Sequence, residues 1–168
     1  MSAEVRLEQV PITHPDSLRL IDEVQAEYHR RYGGPDRTPL EPAYFEAPEG
    51  AFFVGYLDDV PVVMGGWRFR PDVPRLESQR AAEVKRMYVA PAARRTGLAR
   101  LMLAQLEATA RLAGADVMVL ETGTAQPEAI ALYTSAGYER VESFGYYKDE
   151  PLNRCFARRL SADDGPGH

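Results

Sequence analysis

The sequence has one cysteine, no long run of lysine and arginine, and no apolar stretch near the ~20 residues that a membrane-spanning helix needs. A single cysteine excludes an intramolecular disulfide and fits a reducing, cytoplasmic compartment. A formal net charge of -5 without a basic cluster argues against nucleic acid as a partner. The first ten residues lack the basic and apolar regions of a signal peptide, so we expect neither secretion nor a membrane partner.

Several sequence motifs with known chemistry are also absent. The histidines His14, His29 and His168 are too scattered for metal-ligand spacing, so we expect no metal site. There is no GxxxxGK[ST] loop, no GxGxxG in the first strand–helix unit and no GxSxG elbow. Cys155 has no histidine partner in the pattern and is expected to be a buried structural residue. These absences argue against nucleotide triphosphatases, Rossmann dehydrogenases, and metal- or nucleophile-dependent hydrolases.

What is present indicates one globular domain. Hydrophobic residues make up 45% of the chain and charged residues 27%, which is typical of a soluble domain with a substantial core. We expect this domain to cover residues 1–160. The polar residues 161–168 are expected to form a disordered tail.

The spacing of apolar residues predicts an α/β (α+β) sandwich. Stripes at helical spacing begin after Pro15, at Leu98 and at Ala129, and each ends at a glycine. The pair Asp58-Asp59 between two β-rich runs predicts an antiparallel hairpin. A helical turn is expected around Ala43, within a proline-rich loop. The predicted strands are residues 5–10, 51–57, 60–69, 82–89, 117–120, 138–141 and 152–160.

The connection between the strand ending at Val89 and the helix beginning at Leu98 is the most informative segment. Small residues before a helix N-terminus present unpaired backbone N–H groups to one point, and the helix dipole adds positive potential there. Gly97 allows close approach of the backbone, while Arg94 and Arg95 can add charge-assisted hydrogen bonds. The segment therefore predicts a pyrophosphate site, although an ordinary strand-to-helix turn would share the bare pattern.

Four segments occur in one order: EVKRMYV at 83–89, RRTGLA at 94–99, VLETG at 119–123, and AIALY at 129–133 followed by Gly137-Tyr138. Together they resemble the GNAT superfamily of acyl-CoA-dependent N-acyltransferases. The resemblance implies a mixed, mostly antiparallel central sheet of about seven strands with helices on both faces. It also implies acetyl-CoA as a cosubstrate.

The resemblance assigns residues to acetyl-CoA binding. Many family members carry an asparagine near the pantetheine arm, and Gln126 offers the same amide on a longer side chain. The implied cosubstrate-binding residues are Met87, Tyr88, Val89, Arg94, Arg95, Thr96, Gly97, Leu98, Ala99, Gln126 and Tyr133.

Three catalytic residues are also implied. By resemblance, a bulge near Tyr88-Val89 lets the backbone N–H of Val89 polarise the thioester carbonyl. Glu83 is the expected general base, acting through a water, although a solvated carboxylate at a strand edge would look the same. Tyr133 is the expected acid that protonates the CoA sulfur, although it also fits a core tyrosine.

The acceptor amine is not identified by the sequence. An arginine such as Arg68 would suit a carboxylate on the acceptor, whereas the net acidity of the chain favours a cationic amine. A small-molecule N-acetyltransferase that acts by direct attack in a ternary complex, a protein or peptide N-acetyltransferase, and a non-catalytic acyl-CoA sensor all stay open. Exposed strand edges also leave a homodimer open. The expected acceptor-binding residues are Tyr28, Arg31, Trp67, Arg68 and Tyr146, with Tyr32 and Tyr147 beside them.

Overall fold

The computed structural model describes residues 4–37 and 41–161. The expected tail therefore lies outside the described residues from position 162 onward. The helices are α1 (Pro15–Tyr32), α2 (Leu98–Leu112) and α3 (Pro127–Ser135). The strands are β1 (Val5–Gln9), β2 (Gly50–Leu57), β3 (Val60–Phe69), β4 (Ala81–Val89), β5 (Val117–Gly123), β6 (Glu139–Val141) and β7 (Asn153–Arg159).

The seven strands form one sheet in the order β1-β2-β3-β4-β5-β7-β6. All neighbouring pairs are antiparallel except β4 and β5, which run parallel. The predicted hairpin joins β2 to β3, and both turn residues, Asp58 and Asp59, have positive φ angles of 50° and 64°. Aspartate tolerates this left-handed conformation better than most residues. The predicted mixed, mostly antiparallel sheet is confirmed.

Local sequence signals set the helix ends. The ring nitrogen Nδ1 of His14 accepts a hydrogen bond of 3.0 Å from the backbone N–H of Asp16 and caps the start of α1. Gly33 ends α1 in the left-handed conformation with φ 79°. In α2 the cap residue is Ala113, and Gly114, which was the predicted cap, follows it with φ 110°. The predicted turn around Ala43 is a 3₁₀ helix.

Helices cover both faces of the sheet, because alternate residues of each strand point to opposite sides. On one face, called the α1 face below, α1 packs through Leu20 and Val24 against β-strand residues such as Phe52 and Met64. On the other face, α2 packs through a row of buried side chains, and α3 contributes Tyr133. The α2-face core includes Phe53, Val63, Trp67, Met102, Leu106, Met118, Leu120 and Phe156.

Strand β4 contains a β-bulge that changes which way its residues face. Met64 of β3 pairs with Tyr88, but Gly66 pairs with Lys85, so β4 has one extra residue between these pairs. Arg86 lies in this bulge with a positive φ of 56°. The bulge was predicted near Tyr88-Val89; it lies earlier, at Arg86-Met87. No helix of the described residues is long and apolar enough to cross a membrane.

Candidate active site

Strands β4 and β5 diverge in the middle of the sheet. They pair only where Ala81, Ala82 and Glu83 face Val117, Met118 and Val119, and both strands continue beyond these pairs. A cavity of about 510 Å³ opens at this divergence. Its lining includes Tyr28, Tyr32, Asp36, Arg37, Lys85, Arg86, Glu121, Thr122, Gly123, Gln126, Tyr147 and Glu150.

One wall of the cavity is the segment that follows α1. The carboxylate of Asp36 in this segment pairs with the guanidinium of Arg86 and accepts a 3.0 Å hydrogen bond from the hydroxyl of Tyr147. The backbone N–H of Asp36 also donates to the side-chain oxygen of Gln25 at 2.8 Å. These contacts from three parts of the chain hold the segment over the cavity.

A second set of contacts joins the end of α1 to the connection between β5 and α3. The side-chain amide of Gln126 donates a 3.2 Å hydrogen bond to the hydroxyl of Tyr32. Arg31 donates to the carbonyl oxygen of Ala125 at 2.6 Å and pairs with Glu128 at 2.8 Å. The expected pantetheine residue, Gln126, thus lies at the cavity and contacts α1.

Three buried charged side chains, of Glu83, Lys85 and Glu121, lie together with the half-buried Arg70 where the strands diverge. Glu83 is 1% exposed, and its Oε1 accepts a 2.6 Å hydrogen bond from Arg70. The ammonium of Lys85 lies 3.7 Å from Glu83 Oε2 and 3.8 Å from Glu121 Oε1. Burial raises the pKa of Glu121 to about 7, against the opposing charge of Lys85. A carboxyl with a pKa near neutrality can exchange a proton with substrate at physiological pH.

The backbone of β4 presents polar groups to the divergence. The N–H of Ala90 donates to Val62 on β3, whereas the carbonyl of Val89 turns away from β3 and accepts from Arg94 Nε at 2.9 Å. Because backbone groups alternate along a strand, the N–H groups of Met87 and Val89 face the open side. An extended substrate arm can pair with this edge as an added strand does.

The predicted pyrophosphate loop lies between β4 and α2. Gly97 has φ 84°, and no atom lies within 4 Å of the position that a Cβ would take there. No side chain caps the N-terminus of α2 in the described part of the chain, so the first N–H groups from Leu98 onward can bind an anion. Arg95 is exposed, and the hydroxyl of Thr96 donates to the carbonyl of Ala93. Ala99 is half-buried in the first turn of α2.

Arg94 already has partners in the structure. Its Nη2 lies 2.9 Å from Glu27 of α1, in addition to its bond to Val89. Its guanidinium also lies over the ring of Tyr88, at 5.6 Å from the centroid. A phosphate at this loop would therefore compete with Glu27 for Arg94.

Tyr133 is a buried residue of α3 and does not line the described cavity. Its ring packs against Tyr138 with a centroid distance of 5.7 Å. Burial raises the pKa of its hydroxyl, and the nearby Tyr28 adds to this. The hydroxyl therefore stays protonated at neutral pH, as a proton donor must.

The expected acceptor residues are divided between different places. Tyr28 lines the cavity. Trp67 faces the α2 side of the sheet, where its Nε1 donates to Thr109 at 3.0 Å, and so lies across the sheet from the cavity. Arg68 stacks over the ring of Tyr44 at 3.9 Å and does not line the cavity.

The remaining two expected acceptor residues also lie outside the cavity lining. Arg31 is engaged with the connection before α3, as described above. Tyr146 is 59% exposed, and its ring packs at 4.9 Å against Tyr147, which does line the cavity. Cys155 is buried, as expected, and burial raises the pKa of its thiol.

Sequence reasoning assigned no role to the six charged residues of the cavity lining, which are Asp36, Arg37, Lys85, Arg86, Glu121 and Glu150. Lys85, Arg86 and Glu121 lie inside the segments that carry the family resemblance, yet no role was assigned to them. One signal was available for Glu121, because a carboxylate directly after the apolar run VMVL at 117–120 is positioned by a buried strand. No comparable signal marked Asp36, which follows a Gly-Gly-Pro turn.

Comparison with known proteins finds similarity to acetyltransferases. A curated IAA acetyltransferase from Azospirillum brasilense is 44% identical over 78 residues, which are 46% of this chain and 51% of the relative. The match thus spans about half the length of that relative. An IAA acetyltransferase from Bacillus cereus has a TM-score of 0.64 at 18% identity, covering 94% of this chain and 100% of its own. At that identity the likeness shows the fold alone.

A solved structure from Klebsiella pneumoniae, described as a candidate acyl-CoA N-acyltransferase, has a TM-score of 0.76 at 26% identity. It covers 95% of this chain and 100% of its own. The sequence profile of the Acetyltransferase (GNAT) family matches residues 20–138, well over half of the chain. The divergent parallel strands and the family profile agree, and the chain belongs to the GNAT family of acetyltransferases.

Proposed function

We propose that this chain transfers an acetyl group from acetyl-CoA to the primary amine of a small molecule, by direct attack in a ternary complex. The observation that carries the proposal is the cavity at the divergence of β4 and β5. At this point the polar backbone edge of β4 and the carboxylate of Glu121 lie beside the same opening.

The residues present fit acetyl-CoA. Gly97 leaves open space before the uncapped N-terminus of α2, which suits a pyrophosphate. The N–H groups of Met87 and Val89 on the open side of β4 suit an extended pantetheine arm, and Gln126 offers an amide in the lining of the cavity. Acetyl-CoA would supply the thioester, and these chain residues would bind and orient it.

The closure of the cavity supports a small acceptor over a polypeptide. The Asp36–Arg86 pair and the Gln126–Tyr32 hydrogen bond both join elements across the cavity. A peptide acceptor needs an open groove for its backbone, and these contacts would obstruct such a groove.

The cavity lining also balances three cations, Arg37, Lys85 and Arg86, against three anions, Asp36, Glu121 and Glu150. This balance favours a neutral or zwitterionic amine over a polyamine.

The chemistry requires a base for the amine and an acid for the sulfur. The proposed base is a carboxylate at the divergence, where Glu83 and Glu121 both lie. Tyr133 is the proposed acid, because its protonated, buried hydroxyl has a raised pKa. The N–H groups of Met87 and Val89 are proposed to bind the thioester oxygen as negative charge develops.

Release of free CoA thiol from acetyl-CoA tests this proposal across amino acids, aromatic amines, polyamines and short peptides. We expect acceptor-dependent release with a zwitterionic or neutral small amine and little with polyamines. Release only with peptides would replace the small-molecule acceptor with a polypeptide. Binding of acetyl-CoA without release for any amine would instead support a sensor.

A further inference from the structure

The three cations of the cavity lining differ in whether their charge is already paired. The ammonium of Lys85 lies between two buried glutamates. The guanidinium of Arg86 is buried and pairs with Asp36. Arg37 is exposed, and its side chain has no ion pair or hydrogen bond with any residue that the structure describes. Arg37 is therefore the cation of this lining that stays available to a bound molecule.

The backbone of Arg37 is nevertheless held in place. Its N–H donates a 2.6 Å hydrogen bond to the hydroxyl oxygen of Tyr147. That hydroxyl donates in turn to the carboxylate of Asp36 at 3.0 Å. The base of the arginine is thus anchored to two walls of the cavity, the segment after α1 and the connection before β7. An anchored side chain loses less conformational freedom when it binds a ligand than one on an unanchored segment.

Glu150, in the connection before β7, is the corresponding anion. It is exposed, lines the same cavity, and has no side-chain partner within the described part of the chain. The other two anions of the lining, Asp36 and Glu121, each lie beside a cation. The unpaired charge of the lining is therefore one cation and one anion. A molecule with both an ammonium and a carboxylate complements the two, whereas a diamine would meet one like charge.

We propose that the acceptor is an amine that also carries a carboxylate, as amino acids do, and that Arg37 binds this carboxylate and so determines the choice of acceptor. This inference rests on the proposed function and narrows its acceptor to one chemical class. A guanidinium presents two parallel N–H groups to the two carboxylate oxygens, which a lysine ammonium does not. Arg68, which the sequence suggested for such a carboxylate, stacks on Tyr44 and does not line the cavity.

The phosphates of acetyl-CoA are the other anions that Arg37 could meet. None of the residues of the proposed pyrophosphate loop, 94–98, is in the lining of this cavity. The lining does include Lys85 and Glu121, at the divergence of β4 and β5 where acetyl transfer is proposed. The position of Arg37 thus favours the acceptor over the phosphates.

The test measures kcat and KM for the common amino acids, each beside the amide that lacks only the carboxylate charge. The chains compared are the wild type, Arg37→Gln, Arg37→Lys and Arg19→Gln. Arg19 is an exposed residue of α1 outside the lining, so Arg19→Gln controls for the loss of one positive charge. An amino acid and its amide differ in the basicity of the amine. This difference cancels when the acid-to-amide ratio of kcat/KM is compared between variants.

We expect the wild type to acetylate at least one amino acid. Arg37→Gln should lower the acid-to-amide ratio about tenfold, through KM rather than kcat, because the charge-assisted contact is lost at an exposed, partly screened position. Arg37→Lys should keep part of the ratio, since it keeps the charge but not the paired N–H groups. Arg19→Gln should match the wild type. An unchanged ratio in Arg37→Gln, or a wild type that acetylates only amines without a carboxylate, overturns the inference.

Binding without turnover separates this inference from the proposed function. Titration calorimetry of amino acids into the chain saturated with CoA measures the affinity for the acceptor, and a titration with acetyl-CoA measures the affinity for the cosubstrate. Arg37→Gln should weaken the first about tenfold and leave the second unchanged. The reverse result would assign Arg37 to the phosphates and overturn the inference. A chain that binds amino acids through Arg37 but acetylates no amine would support the carboxylate site and overturn the proposed function. A chain that neither binds nor acetylates any amine would overturn both.

Discussion

The hydroxyl of Tyr32 lies against the backbone of Gly123, in the space that a Cβ atom on residue 123 would occupy. The end of α1 can therefore close on β5 only because residue 123 has no side chain. Gly123→Ala should displace Tyr32 and break its hydrogen bond with Gln126. We expect KM for the acceptor to rise several-fold with little change in the free energy of unfolding, as measured by steady-state kinetics and urea denaturation.

A double-mutant cycle provides the control for this prediction. In a Tyr32→Ala background the clash is absent, so Gly123→Ala should add little to the effect of Tyr32→Ala alone. Additive effects of the two substitutions would show that Gly123 acts in some way other than through Tyr32.

Tyr133→Phe should leave acetyl-CoA binding nearly unchanged and slow turnover at least tenfold, because the ring still packs but the proton donor is gone. Titration calorimetry measures the affinity for acetyl-CoA, and kcat measures the turnover. Tyr138→Phe is a matched control, since Tyr138 is also buried and packs against Tyr133. Its hydroxyl donates to Glu107 at 2.7 Å, so the control should lose about 1–2 kcal/mol of stability and keep its turnover. Unchanged turnover in Tyr133→Phe would remove that residue from the mechanism.

Glu27→Gln should tighten acetyl-CoA binding by a few-fold, because Arg94 would no longer be held by the carboxylate of Glu27. Arg94→Ala should weaken binding, and the affinity should then depend less on salt. Titration calorimetry at two salt concentrations measures both effects. Equal affinity in Glu27→Gln and the wild type would mean that Arg94 does not leave Glu27 for the phosphates.

Glu121→Gln should stabilise the fold at neutral pH. The folded-state pKa of Glu121 is raised to about 7 from the ordinary value of 4.5, so the unfolded chain ionises this group first as pH rises. The wild type therefore loses stability between about pH 4.5 and pH 7, and the glutamine variant does not. The difference in free energy of unfolding should grow by on the order of 3 kcal/mol across this window. Urea unfolding at pH 4.5 and pH 8 measures it, and an equal difference at both pH values would show that Glu121 titrates normally.

The sequence was sufficient for the fold because its signals are local. Pro15 and Gly33 mark the two ends of α1, and Asp58-Asp59 gives the turn between β2 and β3. Each of these signals depends on backbone conformations that a few neighbouring residues determine. Strand and helix bounds were thus correct to within a few residues.

The site was harder to predict because it depends on which way each strand faces. Trp67 and Arg68 are adjacent on β3 and must point to opposite faces, so both could not line one pocket through their side chains. The surroundings of Glu121 depend on Asp36 after α1, on Arg70 after β3 and on the neighbouring strand β7, which are remote in sequence. The sequence around Glu121 does not indicate which residues from elsewhere in the chain raise the pKa of its carboxyl group.

The bulge at Arg86 divides β4 into two parts of opposite phase. Before the bulge, the odd-numbered residues Glu83 and Lys85 point to the α1 face. After the bulge, the even-numbered residue Tyr88 points to the same face. An unbroken strand would turn Tyr88 toward α2 and Val89 toward α1. A chain shortened by residue 86 alone would keep Tyr88 on the α1 face of a regular strand, because the bulge takes up that extra residue, and it would lose the pair between Arg86 and Asp36. The extra residue thus lets Lys85 and Tyr88, which are three positions apart, lie on one face of the sheet, as they could not in a regular strand.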